Sequence, residues 1–204
     1  ASYWIADANY QLKNYKKAIQ GYKTFLSLPG NYVSSLRADA YYNLGYAYLN
    51  TAENQLQNPL LESAFKDFLQ LSSPKNKVKR ADAYMRLADY YYITKKNDAA
   101  IKNYREAYEL KSGNEDQALF YMALAHGFNS KGTDDKIKNL QDIVNNYPRS
   151  QYLMASVYEI GISFRSKEQD DKALPYFQQL VKDYPTSTLV PDASINIADI
   201  YFKR

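Results

Sequence analysis

Residues 87–104 read LADYYYITKKNDAAIKNY. Apolar or small side chains stand at Leu87, Ala88 and Tyr91, give way to a polar Lys-Lys-Asn-Asp run, and resume at Ala100, Ile101 and Tyr104. Each half has the i, i+1, i+4 spacing of one helical face, so the stretch predicts two helices joined by a polar turn. At about 100° per residue, Tyr90, Tyr91 and Tyr92 fan through roughly 200°. Tyr91 takes the packing slot beside Ala88, Tyr90 presses on a neighbouring unit, and Tyr92 turns toward an open face.

The first half recurs along the chain. A large apolar residue, a small one and an aromatic three positions on appear as Leu44-Gly45 with Tyr48, Leu124-Ala125 with Phe128, Ile160-Gly161 with Phe164 and Ile197-Ala198 with Tyr201; Ile5-Ala6 with Tyr10 is a displaced copy. The second half recurs as Ala18-Ile19 with Tyr22, Ala64-Phe65 with Phe68, Ala173-Leu174 with Phe177 and, loosely, Lys136-Ile137 with Leu140. No sustained period-2 alternation argues for strands. The small residue is expected at a close helix crossing, with the aromatic three residues on filling the gap beside it. Asp and Thr in the KKND, SKGTDD and SKEQDD turns are expected as N-caps of second helices, and Ser150 and Ser187 as caps of the following first helices. Pro175 requires its helix to begin near Asp171, because a proline deeper inside costs about 3 kcal/mol. One helix pair cannot cover its own apolar surface, whereas stacked pairs can.

These motifs resemble the tetratricopeptide repeat (TPR), whose pattern is W-x2-L-G-x2-Y, then Ala-x3-Phe, then Pro. The intervals from Tyr91 to Ala100 and from Phe164 to Ala173 match the family's. The copies are longer than the family's usual repeat, the second by an insertion around NTAENQL. The resemblance implies an all-α, right-handed superhelical α-solenoid of antiparallel helix pairs, five pairs plus a final unpaired helix. Its repeats fall at about 1–34, 35–77, 78–113, 114–149 and 150–187, with a half-repeat at 188–204, in a single solenoid cut from a longer protein. The endings NNYPRS and KDYPTS look like those of bacterial cell-envelope TPR proteins, the outer-membrane assembly lipoproteins and Tol–Pal-associated proteins. They imply a periplasmic location or the periplasmic face of the outer membrane, with membrane association only through missing parts of the chain.

Composition narrows the chemistry. The chain has no cysteine, which removes thiolate nucleophiles and cysteine metal sites and leaves the redox compartment open. His126 is the only histidine, so no His-based zinc site can be assembled. Asp134-Asp135 and Asp170-Asp171 fit helix starts, where acids favour the positive dipole end. No glycine-rich phosphate cradle is present. The reading is no enzyme, no metal and no cofactor. The net charge of +4 divides into about +6 over residues 1–102 and −2 over 103–204. Lys75, Lys77, Lys79 and Arg80 read as a solvated loop, and no nucleic-acid partner is expected.

The binding surface is expected on the inner, first-helix face, at the residues flanking each crossing position: Tyr42 and Tyr46; Met85, Asp89 and Tyr92; Met122, His126 and Asn129; Tyr158 and Arg165. Leu49 and Ile162, and Ile195, Asp199 and Phe202 of the last helix, share that register. Tyrosine and methionine offer large contact area at low rotamer cost or adaptable shape. The basic clamp of TPR chaperone adaptors is missing from these positions. The expected partners are proteins or extended peptides, with glycan binding or a spacer role as alternatives. The apolar face of Ile195–Phe202 predicts self-association.

Overall fold

In the computed structural model the described residues are 2–29, 35–51, 58–128 and 132–203. They form eleven α-helices and no strand. The chain divides into two compact units, Ala1–Gly113 and Asn114–Arg204.

The first unit holds α1 (Ser2–Gln11), α2 (Tyr15–Ser27), α3 (Ser35–Leu49), α4 (Pro59–Leu71), α5 (Lys77–Ile93) and α6 (Asn97–Glu109). They pack as pairs α1–α2, α3–α4 and α5–α6, and the pairs stack through α2 on α3 and α4 on α5. The second unit holds α7 (Glu115–His126), α8 (Thr133–Asn146), α9 (Leu153–Ser166), α10 (Asp170–Asp183) and α11 (Val190–Phe202). Its pairs are α7–α8 and α9–α10, with α11 packed on α10. Each helix pair thus follows its sequence motif, and α11 is the expected last helix without a second helix after it.

First and second helices bury themselves differently. α6 buries Ala100, Ile101, Tyr104 and Ala107, and α4 buries Leu61, Ala64, Phe65 and Phe68, each a single stripe at 3–4-residue spacing. α5 buries Ala81, Ala83, Met85, Leu87, Ala88, Tyr90 and Tyr91, which lie around much of its circumference because α4 and α6 flank it. The polar remainder of a first helix is therefore narrow.

The crossings are as close as the small residues imply, but the ring that closes them comes from the other helix. A Cβ added to Gly45 would lie 2.8 Å from Phe65 Cζ, and one added to Gly161 would lie 2.7 Å from Phe177 Cε1. Phe65 and Phe177 belong to the second helices and are fully buried. Tyr48 is buried with Lys23 over its ring, and Phe164 packs against the core of the second unit, stacked on Tyr176 with Lys172 beside it.

The helix caps differ from expectation. The residues preceding α2, α6, α8 and α10 are Asn14, Lys96, Gly132 and Gln169, none with a side-chain cap; Asp98, Asp134-Asp135 and Asp170-Asp171 occupy first turns. In three pairs the turn is the same Schellman closure. Asn14 N–H reaches Asn9 O at 2.8 Å, Lys96 N–H reaches Tyr91 O at 2.8 Å and Gln169 N–H reaches Phe164 O at 2.9 Å. The left-handed residue that this turn demands is Lys13, Lys95 or Glu168, at φ 60°, 60° and 57°. The carbonyl of Asn14, Lys96 or Gln169 then accepts the first bond of the next helix, so one residue ends one helix and starts the other.

Ser150 and Ser187 accept the N–H of Tyr152 and Leu189, closing a turn just ahead of α9 and α11 rather than capping the helices themselves. α10 starts at Asp170, one residue before the expected Asp171, so Pro175 lies in its second turn, on the exposed side.

Candidate functional site

In the first unit, side-chain hydrogen bonds run from first helix to first helix. Tyr42 and Tyr46 of α3 both donate their hydroxyls to Asp82 Oδ2 of α5, at 2.8 and 2.5 Å. Lys79 of α5 returns a 2.6 Å ion pair to Asp39 of α3 and lies over the Tyr42 ring. Asn43 of α3 donates to Tyr3 Oη and Asp7 Oδ1 of α1. Two of the pairs, α1–α2 and α5–α6, are also tied internally by one repeated bond: Tyr22 donates to Asp7 and Tyr104 to Asp89, both fifteen residues apart. Arg86 bridges the acids of α5, with Nη1 2.7 Å from Asp89 Oδ2 and Nε 3.7 Å from Asp82 Oδ1. That Nε is buried with no hydrogen-bond partner, held only by the longer ion pair.

The electrostatics follow from burial. Burial and the neighbouring Asp82 carboxylate push the Tyr42 and Tyr46 hydroxyls far above the usual tyrosine range. Burial raises Tyr3 to about 12 and Tyr22 further. Burial also raises the Asp89 carboxyl, against the pull of Arg86 and the Tyr104 hydroxyl. These hydroxyls are fixed donors, and the half-buried rings of Tyr42 and Tyr46 are locked in T-shaped contact at 5.2 Å.

In the second unit Arg165 of α9 is the corresponding tie. It reaches Asn196 Oδ1 at 2.6 Å and Asp199 Oδ2 at 2.5 Å on α11, and Asp170 Oδ1 at 3.4 Å on α10. Its charge is reinforced chiefly by the hydrogen bond to Asp199. Tyr158 is half-buried beside Asn196, with its ring 5.8 Å from that of Phe177.

The expected surface residues divide accordingly. Tyr42, Tyr46, Asp89, Tyr92, His126, Tyr158 and Arg165 are all half-buried on first helices. Met85 and Met122, expected at the surface, are core residues, 2% and 5% exposed; α5, which carries Met85, is covered by both α4 and α6. Asn129 lies outside the described residues. The imidazole of His126 is 3.9 Å from Asp135. Of the three tyrosines, Tyr90 and Tyr91 are buried, Tyr91 donating to Glu62 of α4 at 2.7 Å, and Tyr92 is the half-exposed one.

Asp82 and Arg86 were not among the expected residues, although the sequence carries a signal for the first. Arg-Ala-Asp-Ala-Tyr occurs at 37–41 and again at 80–84. The arginine of each copy serves the helix before it: Arg37 donates to Leu26 O at 2.9 Å, and Arg80 to Leu69 O at 2.7 Å and to Ser72. The aspartate of each copy receives the adjacent first helix, Lys79 on Asp39 and the two tyrosines on Asp82. The cations read as a solvated loop are in part structural, since Lys79 and Arg80 are both used this way.

Among the described residues, no three carboxylates or imidazoles converge to hold a metal ion. No helix among them is long and apolar enough to cross a membrane. The arrangement fixes the rings and orders their hydrogen-bonding groups along the first helices of the first unit.

Sequence models described as tetratricopeptide repeat match residues 1–29, 117–150 and 155–187 in one form and 81–114 in another, together more than half of the chain. The α3–α4 pair, with the long segment between its helices, lies outside these matches. No curated protein matches in sequence. Among solved structures, that of MamA superposes with a TM-score of 0.69 at 20% identity, over 89% of this chain and 88% of its own. YrrB, described as a TPR protein with an unusual peptide-binding site, superposes at 0.71 and 19% identity, over 95% and 90%. TPR-like repeats of a putative kinesin light chain from Podosopora anserina superpose at 0.60 and 13% identity, over 91% and 95%.

Proposed function

The chain belongs to the tetratricopeptide repeat family, and on that premise we propose that it is a non-catalytic scaffold that captures an extended protein segment on its first-helix faces. The observation that carries this reading is the tyrosine–aspartate ladder of α1, α3 and α5. It leaves half-exposed aromatic rings in fixed orientation, which lowers the entropy lost on binding. The rings suit apolar side chains of the segment, and the flanking carboxylates suit its backbone amides or basic groups. YrrB, described as having an unusual peptide-binding site, supports a peptide as the kind of partner. Each unit offers such a face by itself, with Tyr92 as its proposed contact residue in the first unit and Tyr158 in the second. Tyr46, through its bond to Asp82, also holds the surface in shape.

The experiment is affinity capture with the chain as bait, identification of the captured segment by mass spectrometry, and repetition with Tyr92→Ala and Tyr158→Ala. Capture weakens in both variants while the melting temperature stays within a degree or two. Undiminished capture would remove the first-helix face from the account. We further infer a bacterial envelope location from the Tyr147-Pro148 and Tyr184-Pro185 repeat endings. Fractionation of cells expressing the natural protein tests it, and recovery in the cytosolic fraction would count against it.

A further inference from the structure

α10 is apolar at two outer positions where the other second helices are polar or bare. In the register of the second-helix motif, Pro175 stands where α2, α4, α6 and α8 have Gln20, Lys66, Lys102 and Lys138. Tyr176 stands where they have Gly21, Asp67, Asn103 and Asn139. Pro175 is exposed in the second turn of its helix, so it removes a helical hydrogen bond without filling the core. A local rule broken with no gain in packing is the mark of a functional position.

Pro175 and Tyr176 line a shallow cavity of about 550 Å³ together with Phe164 of α9 and with Asp171, Lys172 and Gln179 of α10. That volume suits a small molecule. The floor is apolar and ordered. The Phe164 and Tyr176 rings are nearly parallel, 25° apart with centroids separated by 5.8 Å, and Lys172 Nζ lies 5.9 Å from the centre of the Phe164 ring. Tyr176 is fixed from a third helix, because Gln141 Nε2 of α8 donates to its hydroxyl oxygen at 3.1 Å. The cavity is thus walled by α9 and α10 and buttressed by α8, all within the second unit.

We propose that this cavity binds one ring of a neutral pyranose sugar. A sugar ring has an apolar C–H face and an edge of hydroxyls, which is the division the cavity presents. Its C–H face lies on Pro175, Tyr176 and Phe164, where the aromatic faces carry the negative pole of the ring quadrupole. Its hydroxyls, each both donor and acceptor, meet the Gln179 amide, the Lys172 ammonium and the Tyr176 hydroxyl, whose own proton is left to donate. The rim selects for neutrality: an anion meets Asp171 and a cation meets Lys172. A purely apolar ligand leaves the rim unpaired. Phe164 and Tyr176 lie against each other, so no slot opens between them for a proline side chain of a peptide. The site is separate from the first-helix faces and does not depend on what they capture.

The test is saturation-transfer difference NMR of the whole chain, titrated with glucose, N-acetylglucosamine, cellobiose and chitobiose. At least one of the four takes saturation at its ring C–H protons. Tyr176→Asn, which installs the residue of α6 and α8, weakens that sugar about fivefold, the loss expected of one aromatic contact. Pro175→Lys, which installs the residue of α4, α6 and α8, weakens it too, yet raises the melting temperature because the helical N–H returns. That opposition separates loss of the site from loss of the fold. Tyr158→Ala, on the first-helix face, leaves sugar binding unchanged. Saturation of none of the four sugars overturns the proposal, as does undiminished binding in Tyr176→Asn and Pro175→Lys. An equal loss in Tyr158→Ala, or binding of a decaproline peptide at this cavity in place of the sugars, overturns it as well.

Discussion

Gly161→Ala sets two effects of opposite sign against each other. In a helix interior, replacing glycine with alanine stabilises by about 0.8–1 kcal/mol through backbone propensity alone. At this crossing the new methyl would stand 2.7 Å from Phe177 Cε1, 2.8 Å from Cζ and 3.1 Å from Cδ1. The ring is fully buried and lies against the Tyr158 ring, so it cannot retreat without moving the core of the second unit. Overpacking of this kind costs about 1–3 kcal/mol. The clash outweighs the propensity, and the net expectation is a loss of up to about 2 kcal/mol, or up to roughly 8 °C in melting temperature for a chain of this size. Urea denaturation followed by helical circular dichroism measures it. Shrinking the ring in the same background, Gly161→Ala with Phe177→Leu, recovers about 1 kcal/mol relative to the sum of the single changes, because the two residues touch. A Gly161→Ala chain more stable than the parent would mean that propensity decides at this position, and the crossing argument would fail.

Lys95→Gly and Glu168→Gly each relieve a non-glycine residue held in the left-handed region; each should raise stability by about 0.5–1 kcal/mol in the same urea assay, and the two gains should add because the turns are far apart in the chain. Alkaline pH should unfold the first unit: Tyr3, Tyr22, Tyr42 and Tyr46 stay protonated in the fold above the ordinary value of 10.0, so the unfolded chain binds fewer protons there and stability falls as pH rises past 10. Each tyrosine held neutral contributes a decline of up to about 1.4 kcal/mol per pH unit. The tyrosinate absorbance of these four residues should therefore appear together with the loss of helix, and Tyr42→Phe should flatten the decline.

Much of the fold can be read from spacing. The small residues at 45, 88, 125 and 161 mark crossings because only a small side chain lets two helices approach, and that constraint writes itself into the sequence. The turns were harder to read. Lys13, Lys95 and Glu168 occupy positions where glycine would have announced a helix end, so their conformation shows only in the hydrogen bonds around them. The spacing puts Met85 and Met122 at the surface only if each first helix has a single covered side. Helices on both sides cover α5, and a pattern indexed on a single pair does not register the second. The ladder was half visible: Tyr42 and Tyr46 stood out as aromatics, whereas Asp82 looked like an ordinary charged residue on a helix. The repeated Arg-Ala-Asp-Ala-Tyr pentad identifies it, because it places the same arginine at the end of the preceding helix twice and the same acid beside an adjacent first helix twice.

The role of the first-helix face is tested most directly by calorimetric titration of the captured segment, made as a peptide, into the parent chain, Tyr92→Ala and Glu106→Ala. Tyr92 is half-buried on α5 and Glu106 is exposed on the second helix α6. Loss of an aromatic contact at a binding surface costs about 1–2 kcal/mol, so Tyr92→Ala should weaken binding roughly 5- to 30-fold while Glu106→Ala leaves it unchanged. Unaltered affinity in Tyr92→Ala, with a loss in Glu106→Ala, would move the binding surface to the second helices and contradict the account.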